Sequence, residues 1–357
     1  MTKLTRRNCI RGALAAPVMA AAAQPFRSKP ARRAGIKLAE VFSSDQTDRI
    51  RLATQIGVTH AICTDGLWNV PRDRYVEHLA KVKAKFTAAG MSISGVESHP
   101  VSAKKIKLGL PGRDEELENY VAAIKALAEV GIPMVCYDFC GGLGWVRTRV
   151  DVPERGGALT SEFDNRAAIK QGLTEWGEVS EQKMWDNITY FQKAIIPVAD
   201  KAAVKMALHP DDPPLSPLRG IGRIVTSAKN YRRILNMVPS PMNGVTFCQA
   251  NFKAMGEDIG AVAREFCTAK KIFFVHFRDI EGKGQYFRET FHDNGPTDMA
   301  RMLQIYDECG FDGPIRPDHA PTLEGESNEH PGYAMAGKIL AFGYMKGIMD
   351  GLRIPYE

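Results

Sequence analysis

Lys205-Met206-Ala207-Leu208-His209-Pro210-Asp211-Asp212-Pro213-Pro214 decides how this chain is read. An apolar run of strand length stops at a histidine, and an acidic, proline-rich turn follows. The figure recurs three times downstream. Gly244-Val245-Thr246-Phe247-Cys248 ends in Gln-Ala-Asn, Lys271 to Val275 ends in His276-Phe277-Arg278-Asp279, and Pro314-Ile315-Arg316-Pro317 leads into Asp318-His319. Four successive runs each deliver a metal-capable side chain where the run stops. Parallel (β/α) barrels build sites in this way, because their functional face lies at the carboxyl ends of the strands. His209, Cys248, His276 and Asp318 together offer nitrogen, sulfur and oxygen donors, a set suited to a first-row transition metal.

Working outward, the alternation of apolar run and helical spacer begins at Ile36. Strands are expected over 36–42, 58–63, 91–96, 133–139, 205–209, 245–248, 272–276 and 315–318. Helices are expected over 45–56 (capped at Ser44 or Asp45), 71–90, 114–130, 180–203 (interrupted by Pro197), 227–238, 256–269, 296–310 and 333–352. Parallel strands need crossovers of this length, so the pattern is α/β, a single (β/α)8 TIM barrel over residues 34–357. An open doubly wound sheet would typically carry a glycine-rich phosphate loop after its first strand. Phe42-Ser43-Ser44-Asp45 is nothing of the kind. The stretch from Cys140 to Glu178, after the fourth strand, is rich in glycine and charge. A loop so long is expected to be functional, here a lid with Trp145 and Arg147 touching substrate.

The composition, 44% hydrophobic and 25% charged, is that of a folded globular chain and excludes a disordered one. The formal charge of +6 has a narrow origin. Eight Lys and Arg and no acid lie in the first 33 residues, which leaves −2 for the rest and no nucleic-acid footprint. Residues 1–33 read as a leader: Thr5-Arg6-Arg7-Asn8-Cys9-Ile10, then an alanine-rich apolar run over 13–23. Paired arginines before such a run form a twin-arginine signal, with the Tat export machinery as partner and the periplasm as destination. A leader that does not function would leave the protein cytoplasmic. The run falls short of the ~20 residues that span a bilayer, so no stable membrane insertion is expected. Homo-oligomerisation is left open. The seven cysteines are too few and too deep in apolar runs for a disulfide framework.

Taken alone, a histidine after a strand is more often a hydrogen-bonded structural residue than a ligand, and a cysteine in Thr-Phe-Cys-Gln more often a small core hydrophobe. Their equivalent positions on consecutive strands change that reading, since adjacent strands lie about 4.8 Å apart. Asp211, Asp212, Arg278 and Asp279 follow the ligand positions and are placed to orient ligands or a bound acid. His319, beside Asp318, and Tyr333 in Pro331-Gly332-Tyr333 form a natural acid/base pair near an ion.

His-Pro-Asp-Asp-Pro-Pro at 209–214, Thr-Phe-Cys-Gln at 246–249, His276-Phe-Arg-Asp, Glu289-Thr-Phe-His292 and Arg316-Pro-Asp-His319 followed by Pro331-Gly-Tyr333 resemble the mannonate dehydratase family. Val96-Glu97-Ser98, Gly131 to Tyr137 and Trp145-Val-Arg147-Thr carry the likeness upstream. The resemblance implies a barrel related to sugar isomerases that uses Mn2+ or Fe2+ to convert D-mannonate into 2-keto-3-deoxy-D-gluconate. It implies His209, Cys248, His276 and Asp318 as ligands and His319 and Tyr333 as the catalytic pair. Arg147 and Arg278 would clamp carboxylate or hydroxyl groups, with Trp145, His292 and Glu97 as further substrate contacts. The chain departs from the family's pattern in its export signal, at His99, and over 320–329. Two other readings stand beside this one: a metal-dependent isomerase or epimerase of an uncharged sugar or glycoside, and an exported sugar-acid-binding protein without turnover.

Overall fold

The computed structural model describes residues 35–357; the expectations of a leader and of export fall on residues outside that range. In chain order the strands are β1 (Lys37–Phe42), β2 (His60–Cys63), β3 (Ser92–Glu97), β4 (Met134–Tyr137), β5 (Arg149–Pro153), β6 (Leu159–Asp164), β7 (Lys205–Leu208), β8 (Asn243–Cys248), β9 (Ile272–Phe277), β10 (Ile280–Lys283), β11 (Tyr286–Glu289) and β12 (Pro314–Pro317). The helices are α1 (Thr47–Gln55), α2 (Tyr75–Ala88), α3 (Lys104–Leu108), α4 (Arg113–Glu129), α5 (Asn165–Lys170), α6 (Glu181–Ala202), α7 (Ala228–Met237), α8 (Gln249–Ala254), α9 (Ile259–Thr268), α10 (Met299–Glu308) and α11 (Met335–Leu352).

Eight strands close in the order β1-β12-β9-β8-β7-β4-β3-β2, each paired in parallel with its neighbours. Every residue of β4, β8, β9 and β12 is buried, as unbroken apolar strands covered on both faces must be. Alternate side chains divide between two layers. Leu38, Val135, Met206, Val245, Phe247 and Ile315 point outward into the main core with the helices. Ala39, Ile62, Met134, Cys136, Ala207, Phe273 and Phe274 form a separate cluster drawn from strands alone, the filling of the barrel. The expected (β/α)8 barrel is the observed fold.

Helix starts follow local chemistry. Ser180, Ser227, Asp258 and Asp298 each accept a backbone N–H of the helix they open, which satisfies a donor that has no partner within the helix. Three expectations change. The first helix begins at Thr47 with Gln46 as N-cap, because Ser44 turns to Asp65 through both its N–H and its hydroxyl (2.8 and 2.9 Å). Pro197 does not interrupt α6. The helix expected over 256–269 is present as α9, and a short unexpected helix, α8, precedes it directly after Cys248.

The largest correction concerns residues 140–178, expected as a loop. They contain β5, β6 and α5, and β6 pairs with β11 of a hairpin that follows β9. The result is a four-stranded antiparallel sheet, β10-β11-β6-β5, whose strands are all inserted after carboxyl ends of barrel strands. Phe163, Ile280 and Phe287 pack its core with Ala168 and Leu218. Each segment pairs within itself, β5 with β6 and β10 with β11, but the sheet forms only where β6 meets β11 across more than a hundred residues of chain.

One ion pair joins the first barrel strand to the last helix. Lys338 Nζ donates to Glu40 Oε1 at 2.6 Å, and both side chains are wholly buried. Removing one member strands the other charge, which costs about 3–5 kcal/mol, whereas removing both is close to neutral. Lys338→Met is therefore expected to lower the denaturant midpoint strongly, and Glu40→Gln/Lys338→Met to recover most of the loss. Equal losses in the single and double variants would refute the pairing argument.

Candidate active site

The alternation that fills the barrel also builds the site. Ala207, Thr246, Phe274 and Arg316 are buried side chains on β7, β8, β9 and β12. Two residues further on, the same face of each strand carries His209, Cys248, His276 and Asp318. Register then aligns them, with Cys248 opposite His276 and His276 opposite Arg316. His209 Nδ1 lies 2.7 Å from the Pro210 carbonyl oxygen, which can only accept, so the proton sits on Nδ1. Its bare Nε2 faces His276 Nδ1 at 3.2 Å. One donor atom from each of His209, Cys248 and His276 lies within 4.8 Å of the other two. Asp318 Oδ2 is 3.5 Å from His276 Nδ1.

Electrostatics fits this set to a divalent cation. Burial, helped by Arg316, pushes His276 down to about 4, and burial lowers His209 too, so both imidazoles are neutral and able to ligate. Burial pushes the Cys248 thiol up to about 12 although Arg278 pulls it down, so a cation is needed to draw off its proton. The surrounding network is already negative. Glu97, Asp212, Glu289 and Asp318 face the guanidiniums of Arg147, Arg278 and Arg316, four carboxylates against three cations. Losing the thiol proton adds another negative charge, and a doubly charged ion offsets the excess.

His319 and Tyr333 stand beside the cluster. His319 Nε2 is 3.4 Å from the Tyr333 hydroxyl, and its Nδ1 is 2.8 Å from Glu289 Oε1. The Trp145 ring meets His319 nearly edge-on, centroids 5.4 Å apart. Gly332 has a φ of +86°, and a Cβ there would lie 3.0 Å from the His319 Cβ, so glycine is required for the chain to pass this close. Burial pushes the Tyr333 hydroxyl upward, with Asp318 adding to it, and the phenol keeps its proton.

A cavity of about 280 Å3 opens over these groups, lined among others by Glu97, Asp138, Trp145, His209, Asp212, His276, Arg316, Asp318, His319 and Tyr333. Its size is at the small end for ligand pockets, which run from about 300 Å3 upward, and suits a small metabolite. Of the residues expected to touch substrate, Trp145 and Glu97 line it, whereas Arg147, Arg278 and His292 do not. Arg147 and Arg278 are buried behind the wall because Asp212 and Glu289 hold both guanidiniums. His292 is buried and stacked on Phe277, its ring Nε2 without a partner.

Two lining or supporting residues escaped the sequence reading. Arg316 is the one arginine or lysine lining the cavity among the described residues, and it bridges Glu97 (2.7 Å) and Asp318 (2.8 Å). Glu289 anchors His319 from β11. Its only signal was its place at the head of Glu289-Thr-Phe-His292, since nothing local marks it as buried.

Cys248→Ser is expected to weaken divalent metal binding by at least about 100-fold in chelator competition, with an unchanged far-ultraviolet circular dichroism spectrum. Retained affinity would remove Cys248 from the ligand set. A second expectation concerns acid. Burial works against the charge of Glu289, but His319, Arg278 and Arg147 outweigh it and hold the carboxyl down at about 2. A lowered folded-state value stabilises fully above the unfolded carboxylate value of about 4.3, and that stability is lost as pH falls toward 2. Glu289→Gln should therefore flatten the stability–pH curve between those limits. A curve that keeps its slope would show that Glu289 does not carry it.

Over residues 46–174 and 162–356 the chain matches the family described as D-mannonate dehydratase (UxuA). Mannonate dehydratase 2 of Halalkalibacterium halodurans is 33% identical over 324 residues, covering 83% of this chain and 91% of that protein. The mannonate dehydratase of Streptococcus uberis is 33% identical over 330 residues, covering 85% and 93%. The crystal structure of mannonate dehydratase from Streptococcus suis serotype 2 superposes with a TM-score of 0.79 at 29% identity, covering 89% of this chain and 93% of that one. A xylose isomerase domain protein from Planctomyces limnophilus (TM-score 0.57, 15% identity, 89% and 98% covered) shares the barrel alone. Because the likeness runs from the first helix to the last residues of the barrel at this level of identity, the chain belongs to the D-mannonate dehydratase family of hydro-lyases.

Proposed function

We propose that this sugar-acid dehydratase acts on D-mannonate, releasing water to give 2-keto-3-deoxy-D-gluconate, with Mn2+ or Fe2+ held by His209, Cys248, His276 and Asp318. The observation that carries the reading is the facing pair His319 and Tyr333, 3.4 Å apart, at the edge of the ligand cluster. Once bound, the divalent ion supplies a concentrated positive charge that offsets the negative charge developing beside the carboxylate when C2 loses its proton.

The chain's own groups handle the protons. His319 Nε2 accepts the C2 proton, and the Tyr333 hydroxyl donates to the departing 3-hydroxyl, which leaves as water. The enol that remains becomes the 2-keto acid by taking a proton at C3 and releasing the proton of its 2-hydroxyl. Trp145 packs against His319 and covers that side of the cavity. Arg316 holds Glu97 and Asp318 at the floor of the site.

Charge in the lining constrains how a sugar acid binds. Glu97, Asp138, Asp212 and Asp318 line the cavity against the single guanidinium of Arg316. An anionic substrate is repelled unless the ion is present, so its carboxylate would be held through the metal. The same acidic lining favours the second reading, an isomerase or epimerase of a neutral sugar, which would bind without that requirement. The charge and paired arginines of residues 1–33 support a further part of the proposal, export through the twin-arginine route to the periplasm.

Metal-loaded protein incubated with D-mannonate is expected to yield a 2-keto-3-deoxy acid, measured by its reaction with thiobarbiturate after periodate cleavage. No product with any first-row divalent ion would overturn the assignment. Chelation is expected to abolish both turnover and the calorimetric signal of mannonate binding; binding that survives chelation would contradict the electrostatic argument. His319→Asn and Tyr333→Phe should each lower kcat by about 10^2–10^4 while metal content stays unchanged.

A further inference from the structure

Glu289 belongs to β11, in the inserted sheet, yet its carboxylate reaches the barrel's His319. Its Oε1 accepts from His319 Nδ1 (2.8 Å), Arg147 Nη2 (2.5 Å) and Nε (3.1 Å), and Arg278 Nη1 (3.2 Å). Asp212 grips the same two guanidiniums from the other side at 2.5, 3.0 and 2.7 Å. The carboxylate is therefore fixed by two arginines that are themselves fixed. An ionised carboxylate has no proton to give, so the hydrogen in the Glu289–His319 contact must sit on Nδ1. The other ring nitrogen is left facing the Tyr333 hydroxyl and the cavity.

We propose that Glu289 is a positioning residue that locks His319 in the Nδ1–H form, making Nε2 the proton-accepting atom, and that the inserted sheet thereby completes the active site. The catalytic consequence rests on the dehydration reading above; the tautomer does not. Ordering a base through a carboxylate on its far nitrogen is a general device, because a ring with its proton on the wrong nitrogen keeps its geometry and loses its function. Here the ordering group comes from a sheet that exists only when residues 149–164 and 280–289 pair. Loss of that pairing would leave the ligand cluster in place and the base unoriented.

The test uses the full chain, labelled with 15N-histidine and loaded with diamagnetic Mg2+ or Zn2+. Long-range 1H–15N correlation spectra report which nitrogen of each imidazole is protonated, and His319→Asn identifies the signal. The expected result is an Nδ1–H tautomer for His319 in the wild type, replaced by a mixture of tautomers in Glu289→Gln. A wild-type Nε2–H tautomer overturns the proposal, and this readout holds even if Glu289→Gln fails to fold or mannonate is not the substrate. In kinetics on the sugar acid that is turned over, Glu289→Gln should lower kcat at least about 100-fold with KM within about threefold and metal content unchanged. A folded, metal-replete Glu289→Gln with wild-type kcat also overturns it. Glu289→Asp, which keeps the charge, should recover part of the lost kcat, and no recovery would count against orientation by the carboxylate.

Discussion

Arg278 is where the molecule's two sheets meet. It follows β9 of the barrel, is almost wholly buried, and contacts Asp318 of the proposed ligand set (2.7 Å), Asp212 after β7 (2.7 Å) and Glu289 of the inserted sheet (3.2 Å). A guanidinium taken out of water costs several kcal/mol unless its donors are matched by acceptors. Here carboxylates from three separate chain segments surround it, Nη1 and Nη2 donating to Glu289 and Asp212 while Nε lies against Asp318 without a hydrogen bond, and Arg147 is gripped likewise by Asp212 and Glu289. Each carboxylate needs the arginines as much as they need it. Sharing of these groups couples the segments that meet at the cavity and favours a single arrangement of them.

The chemistry inherits that rigidity. Asp318 is held by Arg278 and Arg316 before any ion arrives, and His209 is turned by the carbonyl of Pro210 so that its free nitrogen faces the cluster. Ligands oriented in this way lose little freedom on binding a cation. The four carboxylates and three guanidiniums leave the site short of positive charge. One charge deficit thus underlies both the fit to a divalent ion and the proposed binding of an anionic substrate through it.

The inserted sheet gives the barrel what its own strands do not. Strand ends bring ligands to a common point, but they surround it on one side only. Trp145 and Glu289 approach from segments inserted after β4 and β9, and both touch His319. Relatives that share the barrel at low identity, such as the Planctomyces limnophilus protein, share the frame and not by that fact the reaction.

Much of this was legible in the linear chain, for a local reason. Where a strand stops and which face a side chain takes depend on neighbours one or two residues away. The positions of His209, Cys248, His276 and Asp318 could therefore be read from apolar runs ending in polar residues, and the eightfold alternation made the barrel the natural closure. The start of α1 and the sheet within 140–178 were not legible, because each depends on a partner elsewhere: Asp65 for Ser44, β11 for β6. Arginine roles were the hardest. Arg147 and Arg278 look like substrate clamps until Glu289, 142 positions from Arg147, closes over them, while Arg316 passes for a strand residue until the barrel turns it toward the cavity. Sequence alone determined the donors and their common face, since alternation is a property of a single strand. Tertiary structure decided which charges neutralise one another and which remain for a ligand, since that depends on pairing across the whole chain.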